Sequence, residues 1–154
     1  MDISSILSPM AVKVAGTVSS KKRLFLDLGE IASGAFGLSQ ETTVQALLDR
    51  ENLGPTGVGG GVALPHARLA DLDRVSGAFL RLEKPLDFEA ADRQPVDLVF
   101  ALFAPKNAGV EHLKALALVS RTLRDDAICA KLRANSDPAT LHAILTEAPS
   151  SKAA

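Results

Sequence analysis

Apolar residues recur at helical spacing in the first third of the chain. From Ser19 or Ser20 to Gly37, the apolar positions lie three or four residues apart, which gives a helix one apolar face. A second stretch, from Ser39 to Gly54, has the same spacing. Serine is a favoured N-cap and glycine a favoured residue after a helix, so these positions predict the limits of two successive helices.

Shorter runs, alternating or continuously apolar, predict the strands. Residues 11–14 alternate briefly, 62–66 and 75–83 form two further strands, and 96–103 is apolar almost throughout. A continuous apolar run is typical of a strand buried on both faces. In the 62–66 strand, the two-residue period places His66 at the end of the strand, where functional sites tend to form.

The last third of the chain is predicted to be helical. Between residues 110 and 123, Val110, Leu113 and Ala117 follow one apolar stripe. His112 lies beside this stripe, so we expect it at the boundary between core and solvent. Two shorter helices follow.

The predicted order of elements is β-α-α-β-β-β-α-α-α, without an internal repeat or a linker. Such an order is typical of an α/β or α+β protein, and we expect a three-layer α/β/α sandwich with a mixed sheet. The 154 residues are enough for one domain, which we place at 1–147. Residues 148–154 are small and polar and are predicted to form a disordered C-terminal tail.

Composition narrows the functional classes. The net charge is −1 and aromatic residues make up 4% of the chain, so neither a basic face nor a base-stacking platform for nucleic acid is expected. The single cysteine, Cys129, excludes an intramolecular disulfide and a multi-cysteine zinc site. The N-terminus lacks a signal-peptide pattern, and the longest apolar run, 98–104, is far shorter than the about 20 residues of a membrane span. We expect a cytoplasmic protein without membrane insertion.

A glycine-rich segment precedes His66. Four of the five residues 57–61 are glycine, and two interpretations fit equally well: backbone amides that approach an anion, or a wide turn at a sheet edge. The lysine of a P-loop and the spacing of a dinucleotide-binding motif are both missing. A kinase or a Rossmann-type enzyme is therefore not indicated.

Three histidines and one arginine are the remaining candidates for chemistry. His66 follows a rigid proline, and a neutral imidazole is a competent nucleophile near neutral pH, although a lone histidine is more often structural. His142 is expected to be a solvated surface residue. Arg50, at the end of the second predicted helix, can supply a cation to an anion or complement the helix dipole. Neither a metal-binding histidine pattern nor a serine-hydrolase motif is present, so no metal is expected.

Five segments of the chain form a recognisable pattern: Arg50–Asn52, Thr56–Gly59, Gly61–His66, Gln94–Leu102 and His112–Leu116. They resemble the IIA domains of the phosphoenolpyruvate-dependent phosphotransferase system, of the fructose and mannitol type, and among them the nitrogen-regulatory branch. The resemblance spans nearly the whole chain. Two small departures are Gly60, where these domains often have a polar residue, and Ala67, where a glycine is common.

The resemblance implies a phosphocarrier. In such domains, the residue matching His66 accepts a phosphoryl group from a small phosphohistidine carrier protein, HPr or its nitrogen-branch relative NPr. The arginine and the second histidine of the site correspond to Arg50 and His112. No cofactor is implied, since the phosphorylated carrier is the donor, and regulatory members bind sensor kinases and potassium transport proteins. The residues expected to form a phosphate-binding loop are Thr56, Gly57, Gly59, Gly60 and Gly61.

We therefore expect a nitrogen-regulatory phosphocarrier. Two alternatives stay open: a sugar-specific EIIA that passes phosphate to an EIIB, and a regulatory binding module without phosphoryl transfer. The 154 residues contain no fused IIB or IIC module, which favours a regulator over a component of sugar transport.

Overall fold

The computed structural model describes residues 1–147, and the tail predicted over 148–154 lies outside the described residues. After a 3-10 turn at Ile3–Ser5, the described chain forms six strands and five helices. The strands are β1 (Leu7–Ala15), β2 (Gly57–Gly59), β3 (Val62–Ala63), β4 (His66–Leu69), β5 (Ser76–Leu86) and β6 (Val96–Pro105). The helices are α1 (Lys21–Phe36), α2 (Gln40–Leu53), α3 (Val110–Leu123), α4 (Asp126–Arg133) and α5 (Pro138–Thr146).

The strands form one mixed sheet in the order β1-β5-β6-β3-β2. Strand β1 runs parallel to β5, β5 is antiparallel to β6, and β2 is antiparallel to β3. Two short strands share one edge of β6: β3 pairs in parallel with Leu98 and Val99, and β4 pairs in parallel from Leu102 onward. Strand β6 therefore supports the start of β4, where His66 lies.

Helices cover both faces of the sheet, each over a separate apolar core. Strand β6 supplies both cores by alternation: Val99, Ala101 and Phe103 belong to the core under α1 and α2. Phe100 and Leu102 belong to the core under α3, α4 and α5. This burial on two sides explains the almost continuous apolar run of β6. The three-layer α/β/α fold with a mixed sheet is confirmed.

The capping serines predicted for the first two helices are confirmed. The Ser20 hydroxyl accepts the Arg23 N–H at 3.1 Å, and the Ser39 hydroxyl accepts the Thr42 N–H at 3.2 Å. Gly37 follows α1 with a φ of 70°, a left-handed conformation that glycine adopts without strain. Of the two serines considered for α1, Ser20 is therefore the cap.

The strand predicted over 62–66 is divided, and His66 begins the second part rather than ending the first. Strand β3 comprises only Val62–Ala63, and β4 starts at His66. Pro65, between the two, has no N–H to donate to a ladder. Its carbonyl accepts the Leu102 N–H at 2.9 Å. The proline thus interrupts the pairing while it keeps the chain attached to β6.

The buried face of α3 differs from the predicted stripe. Val110 and Leu113 are 62% and 63% exposed, whereas His112 is only 4% exposed. The stripe prediction and the boundary position of His112 were both wrong, because α3 turns a polar imidazole toward the sheet and leaves apolar side chains outside. The buried residues of α3 are His112, Ala115, Leu118, Val119, Thr122 and Leu123.

His142 is not the solvated residue that its position on α5 predicts. Helix α5 packs on β1, and the His142 side chain is partly buried there. Its Nε2 lies 3.0 Å from the carbonyl oxygen of Leu7. His142 therefore joins the last helix to the first strand.

Candidate active site around His66

His66 lies in an open cleft of about 440 Å³ bordered by α2, β4 and α3. Its position is set by the parallel ladder, in which His66 is opposite Leu102 of β6. The polar residues that line the cleft with His66 are Asp49, Arg50, Arg68 and His112. The structure therefore brings His66, Arg50 and His112 together and adds a second arginine.

The His66 imidazole is held at both ring nitrogens. Its Nδ1 lies 2.9 Å from the Leu64 carbonyl oxygen, which accepts hydrogen bonds only, so Nδ1 carries the proton. Its Nε2 accepts a hydrogen bond from Arg50 Nε at 3.2 Å. The Nε2 lone pair therefore faces a guanidinium group at the edge of the cleft, in the tautomer that suits a nucleophile.

Arg50 occupies the last turn of α2 and makes two hydrogen bonds with different purposes. Its Nη1 donates to the Gly54 carbonyl at 2.8 Å, which satisfies a carbonyl at the C-terminus of the helix. Its Nε donates to His66. Arg50 therefore satisfies a carbonyl at the end of α2 and also places a cation in the cleft.

Burial and charge keep His66 neutral. Its pKa is lowered from 6.5, chiefly because burial disfavours the charged imidazolium, and the charges of Arg50 and Arg68 lower it further. The Leu64 carbonyl and the Glu51 carboxylate act in the opposite direction. The net lowering leaves the Nε2 lone pair available at neutral pH.

His112 reaches the cleft from α3. Its ring meets that of His66 edge to face, with centroids 5.4 Å apart and an interplanar angle of 69°. Burial, together with the neighbouring His66 and Arg68, lowers its pKa to about 4. Its buried Nε2 has no hydrogen-bond partner among the described residues. A neutral imidazole with a buried, unpartnered nitrogen thus lies beside His66.

Two polar residues of the cleft, Asp49 and Arg68, were not predicted from the sequence, and Arg68 is the one whose charge acts on both histidines. It lies two positions after His66 on β4, so the strand period puts both side chains on the same face of the sheet. Its Nη1 donates to the Lys106 carbonyl at 3.2 Å, and its charge lowers the pKa of both histidines. The same two-residue period could have identified it, had β4 been predicted as a strand beginning at His66.

We expect Arg68→Ala to raise the pKa of both His66 and His112, because it removes a positive charge that disfavours each imidazolium. Imidazole resonances followed by NMR through a pH titration measure both values. Arg74→Ala is the control, since Arg74 is exposed and is not among the causes of either shift. Unchanged values in Arg68→Ala would contradict the electrostatic role of Arg68.

The glycine segment does not face the cleft. The Gly60 N–H donates to Asp92 at 2.9 Å, and the Gly60 carbonyl accepts from Arg133 at 2.8 Å. Gly59, Gly60 and Gly61 have φ values of 101°, 67° and 78°, which glycine adopts without strain as the chain turns from β2 into β3. The turn accounts for these glycines, and none of them is among the residues that line the cleft.

Thr56 and Gly57 are also occupied within the protein. The Thr56 hydroxyl and N–H both donate to Glu51, and Gly57 packs so closely on Ala90 that a Cβ would lie 2.8 Å from the alanine methyl. Neither residue lines the cleft. The loop expected from sequence therefore does not face His66, and the cations that line the cleft are Arg50 and Arg68.

Metal-binding clusters and membrane-spanning helices are both absent from the described residues. Within residues 1–147, no group of three or more histidine, cysteine, aspartate or glutamate side chains is arranged to hold a metal ion. Over the same residues, no helix is both long enough and apolar enough to cross a membrane. The ionisable groups that line the cleft are two imidazoles, two guanidiniums and the Asp49 carboxylate.

Comparison with known proteins places this site in a familiar context. The sequence matches the family described as phosphoenolpyruvate-dependent sugar phosphotransferase system, EIIA 2, over residues 5–148. A nitrogen regulatory protein of Bradyrhizobium diazoefficiens is 44% identical over 153 residues, 99% of this chain and 100% of that protein. A nitrogen regulatory protein of Klebsiella oxytoca is 40% identical over 155 residues, 100% of this chain and 96% of that protein.

A solved structure extends the likeness to three dimensions. The crystal structure of nitrogen regulatory protein IIA-Ntr from Neisseria meningitidis has a TM-score of 0.85 and 39% sequence identity to this chain. The match covers 94% of this chain and 99% of that one. Sequence and fold therefore agree over almost the whole length of both proteins.

Proposed function

Because this chain belongs to the EIIA 2 family of the phosphoenolpyruvate-dependent sugar phosphotransferase system, we propose that it is a nitrogen-regulatory phosphocarrier phosphorylated on His66. The phosphoryl donor is a small phosphohistidine carrier protein, HPr or NPr. The phosphorylated and unmodified forms then bind regulatory partners, such as sensor kinases or potassium transport regulators, with different affinities.

One observation carries this proposal: the His66 imidazole is neutral, has its proton on Nδ1, and directs Nε2 at the Arg50 guanidinium. A nucleophile must keep its lone pair, and the Leu64 carbonyl ensures this by fixing the proton on the other nitrogen. A neighbouring cation suits an anionic phosphoryl group. The arrangement thus supports phosphoryl acceptance at Nε2.

The transfer step follows from these contacts. Nε2 of His66 forms a new P–N bond while the P–N bond of the donor phosphohistidine breaks, and the electron pair of that bond returns to the donor nitrogen. The Nδ1 proton stays on the ring, where the Leu64 carbonyl stabilises the developing positive charge. Arg50, already within hydrogen-bond distance of Nε2, then donates to the phosphoryl oxygens.

The other residues of the cleft have supporting roles. His112, which lines the cleft beside His66, can orient the phosphoryl group or donate to one of its oxygens. Arg68 adds positive charge opposite the incoming group. Leu113, which lines the cleft, and Val110, one turn earlier on α3, are exposed apolar side chains that offer a surface on which a carrier protein can dock.

A phosphoryl relay tests the proposed function. Purified chain is mixed with labelled phosphoenolpyruvate and enzyme I, together with either HPr or NPr. We expect acid-labile label on the chain, and the two rates show which carrier is the better donor. No label from either carrier would overturn the proposal and leave a binding module as the better interpretation. Rapid transfer onward to an EIIB would instead show the sugar-specific alternative.

A further inference from the structure

Glu51, in the last turn of α2, and Thr56, just before β2, form a buried hydrogen-bonded pair. The Thr56 hydroxyl donates to Glu51 Oε1 at 2.6 Å, and the Thr56 N–H donates to Glu51 Oε2 at 3.0 Å. Thr56 is 4% exposed, and the Glu51 side chain is 7% exposed. Both carboxylate oxygens are thus committed to one residue across the turn that follows α2.

Lys21, the first residue of α1, completes the pair. Its Nζ donates to Glu51 Oε2 at 2.8 Å and lies 4.9 Å from the centroid of the Phe88 ring. A buried carboxylate is destabilising unless it is paired and hydrogen-bonded, and Glu51 is both. The Glu51 carboxylate is therefore held in place by Lys21, and Thr56 is hydrogen-bonded to it.

From Thr56, one connection leads to Arg50. The Gly54 carbonyl, which accepts from Arg50 Nη1 at 2.8 Å, lies in the short turn between Glu51 and Thr56. Because Glu51 holds the far end of this turn, the Gly54 carbonyl has a defined position. The guanidinium of Arg50 is in turn held with its Nε directed at His66.

A second connection leads from Thr56 to His66. The Thr56 carbonyl accepts the Leu64 N–H at 3.0 Å, and the Leu64 carbonyl accepts Nδ1–H of His66 at 2.9 Å. The residue that orients the imidazole is therefore itself held by Thr56. Thr56 is the point at which the two connections meet.

We infer that Glu51 and Thr56 are positioning residues for phosphoryl transfer, which fix the Arg50 guanidinium and the His66 imidazole in position relative to each other. This inference rests on the proposed function. Catalysis of phosphoryl transfer depends mainly on positioning and on charge, so a small displacement of either group slows the reaction even when the protein stays folded.

The chain contains a matched control for this pair. At the start of α5, Thr140 donates both its hydroxyl, at 3.0 Å, and its N–H, at 3.3 Å, to the carboxylate of Asp137. As at Thr56, one threonine donates its hydroxyl and its N–H to an acidic side chain, here through the single oxygen Oδ2 and in an exposed position. Helix α5 packs on β1, and neither Thr140 nor Asp137 contacts a residue of the cleft through these bonds. A change at Thr140 therefore removes a similar interaction without touching the proposed connections.

The test compares Thr56→Val, Thr56→Ser and Thr140→Val in single-turnover transfer from the phosphorylated carrier protein. We expect Thr56→Val to lower the rate constant at saturating donor by about 10- to 100-fold, the size of effect that follows from a misplacement near 1 Å. The half-saturating donor concentration should stay unchanged, because the docking surface is intact. Thr56→Ser, which keeps the hydroxyl, and Thr140→Val should both transfer at the wild-type rate.

A second variant and a spectroscopic measurement keep the inference testable if Thr56→Val is poorly folded. Glu51→Gln keeps the shape of the side chain but cannot accept at both terminal atoms, and Asp137→Asn is its control. In Glu51→Gln, we expect the imidazole nitrogen resonances of His66 to show a mixture of tautomers instead of one protonated at Nδ1.

Three results would overturn the inference. They are wild-type transfer in a folded Thr56→Val, an equal loss of rate in Thr140→Val, or a loss that appears only in the half-saturating donor concentration. Failure of the wild-type chain to accept phosphate would refute the proposed function instead. The tautomer measurement would still test whether Glu51 and Thr56 orient His66, since it needs no donor protein.

Discussion

His66→Ala is expected to abolish phosphorylation of the chain in the relay with phosphoenolpyruvate, enzyme I and the carrier protein. The reason is that the nucleophilic Nε2 is removed. We expect a complete loss because, within residues 1–147, no other imidazole accepts a hydrogen bond from an arginine. His112 is the other histidine of the cleft, with its ring centroid 5.4 Å from that of His66. The hydrogen bond from Arg50, however, goes to His66.

Acid-labile label per chain is the measurement, and His142→Gln is the matched control. His142 is a partly buried histidine that contacts the Leu7 carbonyl and does not line the cleft, so its variant should be labelled like the wild type. Label in His66→Ala at the wild-type rate would mean that another residue is the acceptor. Label that disappears only in a double variant with His112 would assign the phosphoryl group to both imidazoles.

Local sequence signals were enough to predict the helix limits and the burial of β6. Ser20, Ser39 and Gly37 act within three or four residues of chain, where capping geometry leaves few alternatives. Strand β6 is equally direct, because burial on both faces produces an apolar run that few other structures explain. Signals of this kind do not depend on which elements pack together.

The errors concern tertiary choices. The sequence of α3 allows more than one apolar face, and only the packing on the sheet decides that His112 is inside and Leu113 outside. The position of His142 against β1 joins residues 135 apart in sequence. The periodicity of α5 predicts which side chains lie away from its apolar face, but it carries no information about a contact with β1. The prediction that His142 is solvated was therefore wrong.

In the candidate site too, some residues could be predicted from the sequence and others depend on tertiary packing. His66 and Arg50 follow from the segment pattern, and the structure brings them within a hydrogen bond of each other. Arg68 was not predicted because the strand was predicted to end at His66, whereas β4 begins there, after the interruption at Pro65. Glycine permits both a turn and an anion site, so the sequence left the role of the segment 57–61 open. In the structure, the Gly60 N–H donates to Asp92 and no residue of this segment lines the cleft.

Arg50→Ala is expected to lower the rate constant of phosphoryl acceptance by about 100- to 1,000-fold, the usual effect of removing a donor that stabilises transition-state charge. The free energy of unfolding should fall by only about 1–2 kcal/mol, since the variant loses the hydrogen bonds to the Gly54 carbonyl and to His66 and little packing. Transfer kinetics and urea denaturation measure the two quantities separately.

The control for Arg50 is Arg121, which also lies in the last turn of its helix, α3, but is exposed and does not line the cleft. Arg121→Ala removes a helix-terminal charge alone, so it should leave the transfer rate unchanged. If both variants transferred at the wild-type rate, Arg50 would serve only the helix terminus. Arg50→Lys separates charge from geometry, because an ammonium keeps the charge but cannot donate to Gly54 and to His66 through a planar fork. An intermediate rate in Arg50→Lys would therefore show that the direction of the guanidinium, set by its second hydrogen bond, contributes to transfer beyond its charge.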